Sequence, residues 1–172
     1  MLLLMFRILQ NAKSEETRSF LLYRNRPSVV IGRYQNPWRE CNVREMSQQG
    51  VGLVRRRSGG GTVYHDHGNV NLSFFSPRAS FDKFQNSALL VRALTHLGIA
   101  ARGSLVPNER SDLMFNGQKV SGSAYRITSA AAYHHCTLLL SADIHGLRRF
   151  LHVPQVSSHL IHSSFNFPDS PF

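Results

Sequence analysis

The stretch R-R-R-S-G-G-G-T-V-Y-H-D-H-G-N-V-N, residues 55–71, places three arginines directly before three consecutive glycines. Glycine lets the backbone turn tightly and approach a ligand closely, because it has no Cβ. Arginine adds a fixed positive charge and a planar set of donors that suits phosphate or carboxylate, and the N–H groups of a glycine turn can enclose an anion. The stretch therefore predicts a pocket for an anionic, nucleotide-like ligand. A flexible hairpin beside a solvated arginine edge is the alternative.

Two common phosphate-binding motifs are absent from this stretch. The P-loop pattern G-x-x-x-x-G-K-[ST] is excluded, because the glycines are followed by Thr62 and Val63 and by no lysine. The dinucleotide pattern G-x-G-x-x-G also fails, because Tyr64 stands at the position of its last glycine. A generic P-loop or Rossmann assignment is therefore unsupported.

The composition is that of a basic globular protein. The chain has 172 residues, of which 42% are hydrophobic and 17% charged, so we expect one domain with a single core. Its formal net charge of +10 favours an acidic partner, such as a nucleotide, an acidic protein, a nucleic acid or a membrane surface. A basic nucleic-acid-binding module stays open as an alternative, although no helix-turn-helix, zinc-finger or RNP-type motif is evident.

The sequence indicates no disulfide scaffold, no metal site and no membrane span. Cys41 and Cys136 stand far apart without a C-x-x-C spacing, which favours a reducing compartment. The H-D-H run at 65–67 and the H-H-C run at 134–136 contain metal-ligating residue types, but the chain lacks H-E-x-x-H and paired C-x-x-C motifs, so no metal site is expected. No apolar run approaches the ~18 residues of a membrane span.

Hydrophobic periodicity predicts both strands and helices, and hence an α+β or mixed α/β fold. The predicted strands are 20–23, 29–31, 69–75, 120–125 and 133–140. The predicted helices are 1–12, 43–49, 87–97 and 144–151, with a loop at 36–38. Residues 69–75 alternate, with Val70, Leu72 and Phe74 on one face, so a half-buried strand is expected there.

Three blocks of the chain, in order, resemble the lipoate–protein ligase and lipoyltransferase family. They are P-S-V-V-I-G-R-Y-Q-N-P-W-R-E-C-N at 27–42, the glycine stretch continued to residue 74, and 112–140 with D-L, G-Q-K-V-S-G-S-A and H-H-C-T-L-L. The resemblance covers roughly residues 20–153. It implies the biotin/lipoate ligase catalytic fold, a class II synthetase-like sheet flanked by helices. It also implies a partial catalytic domain over 1–153, followed by a non-homologous, disordered tail over 154–172.

The family's chemistry, carried over by this resemblance, is protein lipoylation. The implied reaction transfers a lipoyl group through lipoyl-adenylate to an acceptor lysine. The implied cofactors are lipoate and ATP or lipoyl-AMP, with Mg²⁺ if adenylation occurs. Biotin ligase is a weaker alternative, since its glycine loop differs from S-G-G-G. A truncated, inactive fragment that still binds a lipoyl-nucleotide is a further alternative.

The resemblance also assigns roles to individual residues. Lys119 is the expected catalytic residue, contacting the carboxylate and the α-phosphate, and the triglycine bend and Lys119 are expected to meet at one cavity. The expected nucleotide-binding residues are Arg56, Gly61, Thr62, Val63, Tyr64 and Lys119. The expected lipoate-binding residues are Ser58, Gly59, Gly60, Gly61, His65, Asn71 and Lys119. Arg55 and Arg57 are expected to be surface or structural charges.

Partners and compartment follow from the same resemblance. The implied partners are the lipoyl domains of 2-oxoacid dehydrogenase complexes and the glycine-cleavage H protein, which are acidic and so complement the net charge of +10. A monomer that binds neither nucleic acid nor membrane is expected. Cys136 stands where some eukaryotic members have cysteine, which favours a mitochondrial transferase; a cytoplasmic location is the alternative.

Overall fold

The computed structural model describes residues 18–99 and 103–151. They fall into two compact units. The first unit comprises the described residues up to Leu22 together with Asn71–Thr137, and the second comprises Tyr23–Val70 and the described residues from Leu138 onward. The predicted helix over 1–12 and the predicted tail over 154–172 lie outside the described residues.

The chain contains both strands and helices, interspersed along its length, which confirms the mixed α/β class. The strands are β1 (Ser19–Arg24), β2 (Ser28–Ile31), β3 (Gly52–Arg55), β4 (Val63–His65), β5 (Asn69–Pro77), β6 (Leu105–Pro107), β7 (Leu113–Phe115), β8 (Gln118–Lys119), β9 (Ser121–Ile127) and β10 (Ala131–Leu139). The helices are α1 (Pro37–Glu40), α2 (Val43–Gln48), α3 (Lys83–His96) and α4 (Ile144–Phe150).

The first unit is built on a sheet with strand order β1-β5-β10-β9 and on the antiparallel meander β6-β7-β8. Helix α3 buries Leu90 and Leu94, which are four residues apart and so share one face. The helix begins at Lys83, four residues before the predicted start. Its N-cap is Asp82, whose carboxylate accepts hydrogen bonds from the N–H groups of Phe84 and Gln85.

Strand β5 corrects the prediction of a half-buried strand. Its polar positions are as buried as its apolar ones: Asn71 is 3% exposed and Ser73 is 0% exposed. The strand lies inside the sheet, between β1 and β10. Alternation of polar and apolar residues therefore does not mark a solvent face here.

The second unit is built on a sheet with strand order β3-β2-β4. β2 pairs with β3 in parallel and with β4 antiparallel. Val29 and Ile31 of β2 pack in a buried cluster with Met46 of α2, Tyr64 of β4 and Phe150 of α4. Burial of this apolar cluster holds helices α2 and α4 to the sheet of the second unit.

Strand β3 and helix α1 of the second unit were not predicted. β3 was missed because all four of its residues are exposed, so it carries no hydrophobic period. α1 occupies the predicted loop: Asn36 accepts a hydrogen bond from the Trp38 N–H at 3.0 Å, and Pro37 stands at the first helical position, where its missing N–H costs nothing.

Candidate active site

The glycine loop is organised from inside by Arg56. This side chain is only 6% exposed and directly follows β3. Its Nη1 donates to the Val30 carbonyl at 3.1 Å, and its Nη2 donates to the carbonyls of Gly59 at 2.8 Å and Gly61 at 2.6 Å. These bonds fold residues 56–61 around a buried cation. The predicted contact of Arg56 with a phosphate stays a prediction.

The three glycines of the loop differ in what the backbone demands. Gly60 has φ 93, a conformation that favours glycine. A Cβ at Gly59 or Gly61 would meet nothing within 4 Å in the described structure, and neither has a positive φ. Folding therefore requires glycine only at Gly60, and the space above Gly59 and Gly61 is open to a ligand.

The segment around Gly32 holds this loop from outside. A Cβ at Gly32 would lie 2.0 Å from the Gly60 carbonyl oxygen, so the two backbones touch. The Gln35 Oε1 accepts hydrogen bonds from the Gly32 N–H at 2.9 Å and from the Thr62 hydroxyl at 2.7 Å. The Arg33 N–H donates to the carbonyl of the buried Ser58 at 3.0 Å. The glycine loop is thus fixed against a second backbone segment.

β4 offers its backbone rather than its side chains. It stands at the end of its three-stranded sheet, where one side of a strand is not used by the ladder. Its apolar side chains point elsewhere: Val63 is half-buried, and Tyr64 is 9% exposed and packs on Phe150 with ring centroids 5.3 Å apart. The predicted main-chain contacts of Thr62, Val63 and Tyr64 with a nucleotide stay a prediction.

His65, at the end of β4, is a buried neutral imidazole. The Asn25 amide nitrogen lies 2.8 Å from His65 Nδ1. An amide nitrogen donates, so Nδ1 accepts and the ring proton resides on Nε2. Burial, with the nearby charge of Arg56, lowers the pKa of His65 to about 4. Nε2 is buried without a hydrogen-bond partner in the described part of the chain, leaving an unused donor.

Asp66 anchors the turn that follows His65. Its carboxylate accepts hydrogen bonds from the Gly68 N–H at 2.8 Å and from the Asp143 N–H. Gly68 lies against the Ser141 backbone, so closely that a Cβ would overlap the Ser141 carbonyl. Asp66 therefore supports the turn.

Lys119 lies in the first unit, on a hairpin formed by Asn-Gly. Asn116 and Gly117 have φ 48 and φ 77, the two positive values of a type I′ turn, which joins β7 to β8. Lys119 Nζ lies 2.6 Å from Oδ2 of Asp112. The Lys119 side chain is 30% exposed and that of Asp112 is 5% exposed, so a partly accessible ammonium is tied to a buried carboxylate.

Asp112 is itself held in place, and this makes the pair rigid. Its Oδ1 accepts a hydrogen bond from the Ser123 N–H at 2.7 Å, and its own N–H donates to Asn108 Oδ1 at 3.0 Å. A charge-assisted hydrogen bond between oriented partners restricts the position of the ammonium group more than an unpaired lysine side chain is restricted. Lys119 is therefore a pre-positioned ammonium group.

The polar run on β10 includes the buried residues His134 and Cys136. His134 is 1% exposed, and burial, reinforced by the charge of Lys83, lowers its pKa to about 4. Burial raises the pKa of the Cys136 thiol to about 12. Among the described residues, no three His, Cys, Asp or Glu side chains form a group that could hold a metal ion. No helix in the described ranges is long and apolar enough to cross a membrane.

The second unit therefore assembles most of the predicted site. Arg56, Gly60 and His65 belong to one loop and strand, together with Ser58, Gly59, Gly61, Thr62, Val63 and Tyr64. Lys119 and Asn71 belong to the first unit. Sequence reasoning missed Gln35 and Asn25. Gln35 gave a weak signal, three residues after the glycine of G-R-Y-Q; Asn25 gave none, because its bond to His65 spans 40 residues.

Comparison with known proteins gives the class and then the family. The fold is that of lipoate ligases: a lipoate-protein ligase A bound with ATP matches with a TM-score of 0.80 at 27% identity, covering 95% of this chain and 70% of that one. The family model for the lipoyl protein ligase A/B catalytic domain matches residues 2–166. The chain belongs to this family. The matched range overlaps the predicted tail, and the domain boundary at residue 153 stays a prediction.

Two further proteins show how much of a relative the chain represents. It is 50% identical over 134 residues to the mouse mitochondrial lipoyl amidotransferase LIPT1. This match covers 77% of this chain and 35% of that protein. A bi-partite lipoate protein ligase from Thermoplasma acidophilum, solved with its E2 lipoyl domain, has a TM-score of 0.74 at 26% identity, covering 87% of this chain and 59% of that one. The chain thus spans about a third of this curated relative.

Proposed function

We propose that this chain carries the lipoyl-nucleotide site of a lipoyltransferase, and that it transfers a lipoyl group from lipoyl-AMP to the lysine of an acceptor domain. The observation that carries the proposal is the open glycine loop. A Cβ at Gly59 or Gly61 would meet nothing in the described structure, whereas the adjoining Gly60 backbone is packed against Gly32. The backbone of this loop is fixed by its contact with Gly32, and the loop is open at Gly59 and Gly61. This arrangement suits close approach of a phosphate.

The second unit supplies the nucleotide part of the proposed site. Arg56 keeps the loop folded and adds positive charge behind the phosphate, and the backbone of Thr62, Val63 and Tyr64 binds the adenine. His65 donates from Nε2 to the acyl part of the ligand, because a buried donor without a partner is stable only if a ligand or water accepts from it. Ser58, Gly59 and Gly60 shape the cavity for the lipoyl chain. Asn71, a residue of the first unit, is proposed as a further lipoate-binding residue.

Lys119 is the proposed catalytic residue. The acceptor amine attacks the acyl carbon of lipoyl-AMP, a C–N bond forms, the bond from carbon to the phosphate oxygen breaks, and AMP leaves with its electron pair. The amine loses its proton to solvent or to the departing phosphate. Negative charge builds on the carbonyl and phosphate oxygens during this step. An ammonium held by Asp112 at 2.6 Å stabilises such charge without having to reorient.

The mitochondrial relative and the structural neighbours guide the remaining proposals. We propose lipoate as the acyl group and ATP as the source of the nucleotide where adenylation occurs, with Mg²⁺ bound by the triphosphate. The proposed acceptors are lipoyl domains of 2-oxoacid dehydrogenase complexes and the glycine-cleavage H protein. The proposed compartment is the mitochondrion, and the proposed state is a monomer.

Mass spectrometry of the acceptor tests the function. The chain is incubated with premade lipoyl-AMP and an E2 lipoyl domain, and in a parallel reaction with lipoate, ATP and Mg²⁺. We expect the mass of one lipoyl group on the domain in the first reaction. A domain whose acceptor lysine is replaced by arginine controls for chemical acylation.

Each outcome of this experiment has a defined meaning. Lipoylation from lipoyl-AMP alone identifies a transferase, and lipoylation in both reactions identifies a ligase. Tight binding of lipoyl-AMP without transfer identifies a ligand-binding fragment and contradicts the proposed activity. No binding of lipoyl-AMP contradicts the site itself.

A further inference from the structure

Residues 33–39, here called the aromatic–arginine segment, present two large aromatic rings to solvent. Tyr34 is 82% exposed and Trp38 is 74% exposed. Exposing such rings costs solvation free energy that burial against a partner would recover. Tyrosine, tryptophan and arginine are the residue types that dominate binding energy at the centre of protein interfaces. The segment thus has the composition of a binding surface.

Hydrogen bonds hold the backbone of this segment in one conformation. Arg55 Nη1 donates to three carbonyls: those of Gly32 at 3.1 Å, Arg33 at 3.1 Å and Gln35 at 2.7 Å. The Asn36 side chain caps the short helix that carries Trp38. A surface whose backbone is already ordered loses little conformational entropy when a partner binds. The exposed rings are therefore presented on a rigid support.

The same segment is joined to the glycine loop. The Gly32 backbone touches the Gly60 carbonyl, and Gln35 accepts a hydrogen bond from Thr62. A partner seated on Tyr34 and Trp38 would thus stand beside the loop proposed to hold the lipoyl-nucleotide. Proximity of this kind is what delivery of an acceptor lysine requires.

The charge of the segment selects the kind of partner. Arg33 lies over the Tyr34 ring at 5.1 Å from its centroid, and Arg39 is exposed next to Trp38. In the described part of the second unit every Lys/Arg cation is an arginine, the residue that best pairs with carboxylates. The chain as a whole carries +10. An acidic protein surface complements this segment.

We propose that the aromatic–arginine segment is the docking surface for the acidic acceptor domain. This inference rests on the proposed function for the identity of the partner, but it concerns a surface outside the nucleotide loop. Tyr34 and Trp38 supply the buried contacts, and Arg33 and Arg39 pair with carboxylates around them.

Binding of an acidic E2 lipoyl domain to the full chain, measured by calorimetry, tests the proposal. We expect the double variant Tyr34→Ala/Trp38→Ala to bind about tenfold or more weakly, as for truncation of central aromatic anchors. The matched control is Phe84→Ala, which removes another exposed ring (51%) with a cation over it, Lys83 at 4.7 Å. This control is expected to bind like the unaltered chain. Unfolding temperatures check that each variant is folded.

The charge contribution is tested separately. Arg33→Glu/Arg39→Glu is expected to weaken binding of the domain and to flatten its dependence on salt, because like charges then face each other. Unchanged affinity in both double variants would overturn the proposal, as would an equal loss in Phe84→Ala or failure of the unaltered chain to bind the domain. If the aromatic variant instead dissolves a dimer of this chain at unchanged domain affinity, the surface joins two copies and the proposal is wrong.

Affinity for lipoyl-AMP is measured on the same proteins to separate the two proposals. Loss of domain binding with lipoyl-AMP affinity intact supports the docking surface. A chain that binds the domain through this segment but never binds lipoyl-AMP retains the docking surface and loses the proposed function.

Discussion

Among single residues, Gln35 connects the glycine loop to the segment around Gly32. One oxygen accepts from both the Gly32 N–H and the Thr62 hydroxyl, and so joins two backbone segments. We expect Gln35→Ala to raise the Kd for lipoyl-AMP about tenfold, the loss of one or two hydrogen bonds, while Gln35→Glu, which keeps the accepting oxygen, retains most of the affinity. Equal losses in both variants would show that the oxygen is not what positions the loop.

His65 gives a pH-dependent stability. Burial lowers its folded pKa to about 4 from 6.5, so between these values the unfolded chain binds more protons than the folded chain. Above pH 6.5 this histidine makes its full contribution to the free energy of unfolding. That contribution is lost as the pH falls towards 4. The shift corresponds to about 3 kcal/mol at most. Burial lowers the pKa of His134 to about 4 as well, which adds a parallel loss.

Urea unfolding at several pH values measures this effect. We expect the free energy of unfolding of His65→Gln to decline less between pH 7 and pH 4 than that of the unaltered chain. Parallel decline in the two proteins would show that His65 is solvated or charged when folded.

At the scale of elements, two glycine-containing turns are built for different purposes. Gly117 has φ 77 in the hairpin that carries Lys119, so a side chain there is strained. Gly61 has no such strain, and a Cβ there would meet nothing within 4 Å in the described structure. We expect Gly117→Ala to lower the free energy of unfolding by about 1 kcal/mol, and Gly61→Ala to leave it within about 0.5 kcal/mol while weakening lipoyl-AMP binding. Denaturation and ligand titration of both variants check this contrast. Loss of stability in Gly61→Ala with ligand affinity intact would mean that the loop glycines serve folding alone.

The same scale shows what sequence patterns could predict. Strands β2, β9 and β10 and helices α2 and α4 were found within a few residues, because their apolar residues carry the period of the element. β3 carries no such period, and the start of α3 is set by one capping carboxylate, Asp82. The glycine loop was predicted from its amino-acid sequence. The hydrogen bonds of Gln35 with Thr62 and of Asn25 with His65 span 27 and 40 residues. No local pattern reports contacts at that separation.

For the whole molecule, the distribution of charge follows the proposed task. Buried Arg56 shapes the loop, exposed Arg55 fixes the aromatic–arginine segment, and Lys119 is tied to Asp112. Each of these cations has a defined structural partner, although the chain as a whole carries +10. We infer that the remaining positive surface serves attraction of an acidic acceptor.

Single-turnover transfer from lipoyl-AMP to a lipoyl domain, followed by mass spectrometry, tests the central claim most directly. We predict that the unaltered chain lipoylates the domain and that Lys119→Ala slows transfer roughly a hundredfold, about 3 kcal/mol for the loss of one donor to the developing charge. Lys83→Ala, which removes another lysine, should transfer at the unaltered rate. Transfer by a folded Lys119→Ala protein at the rate of the unaltered chain would contradict the account.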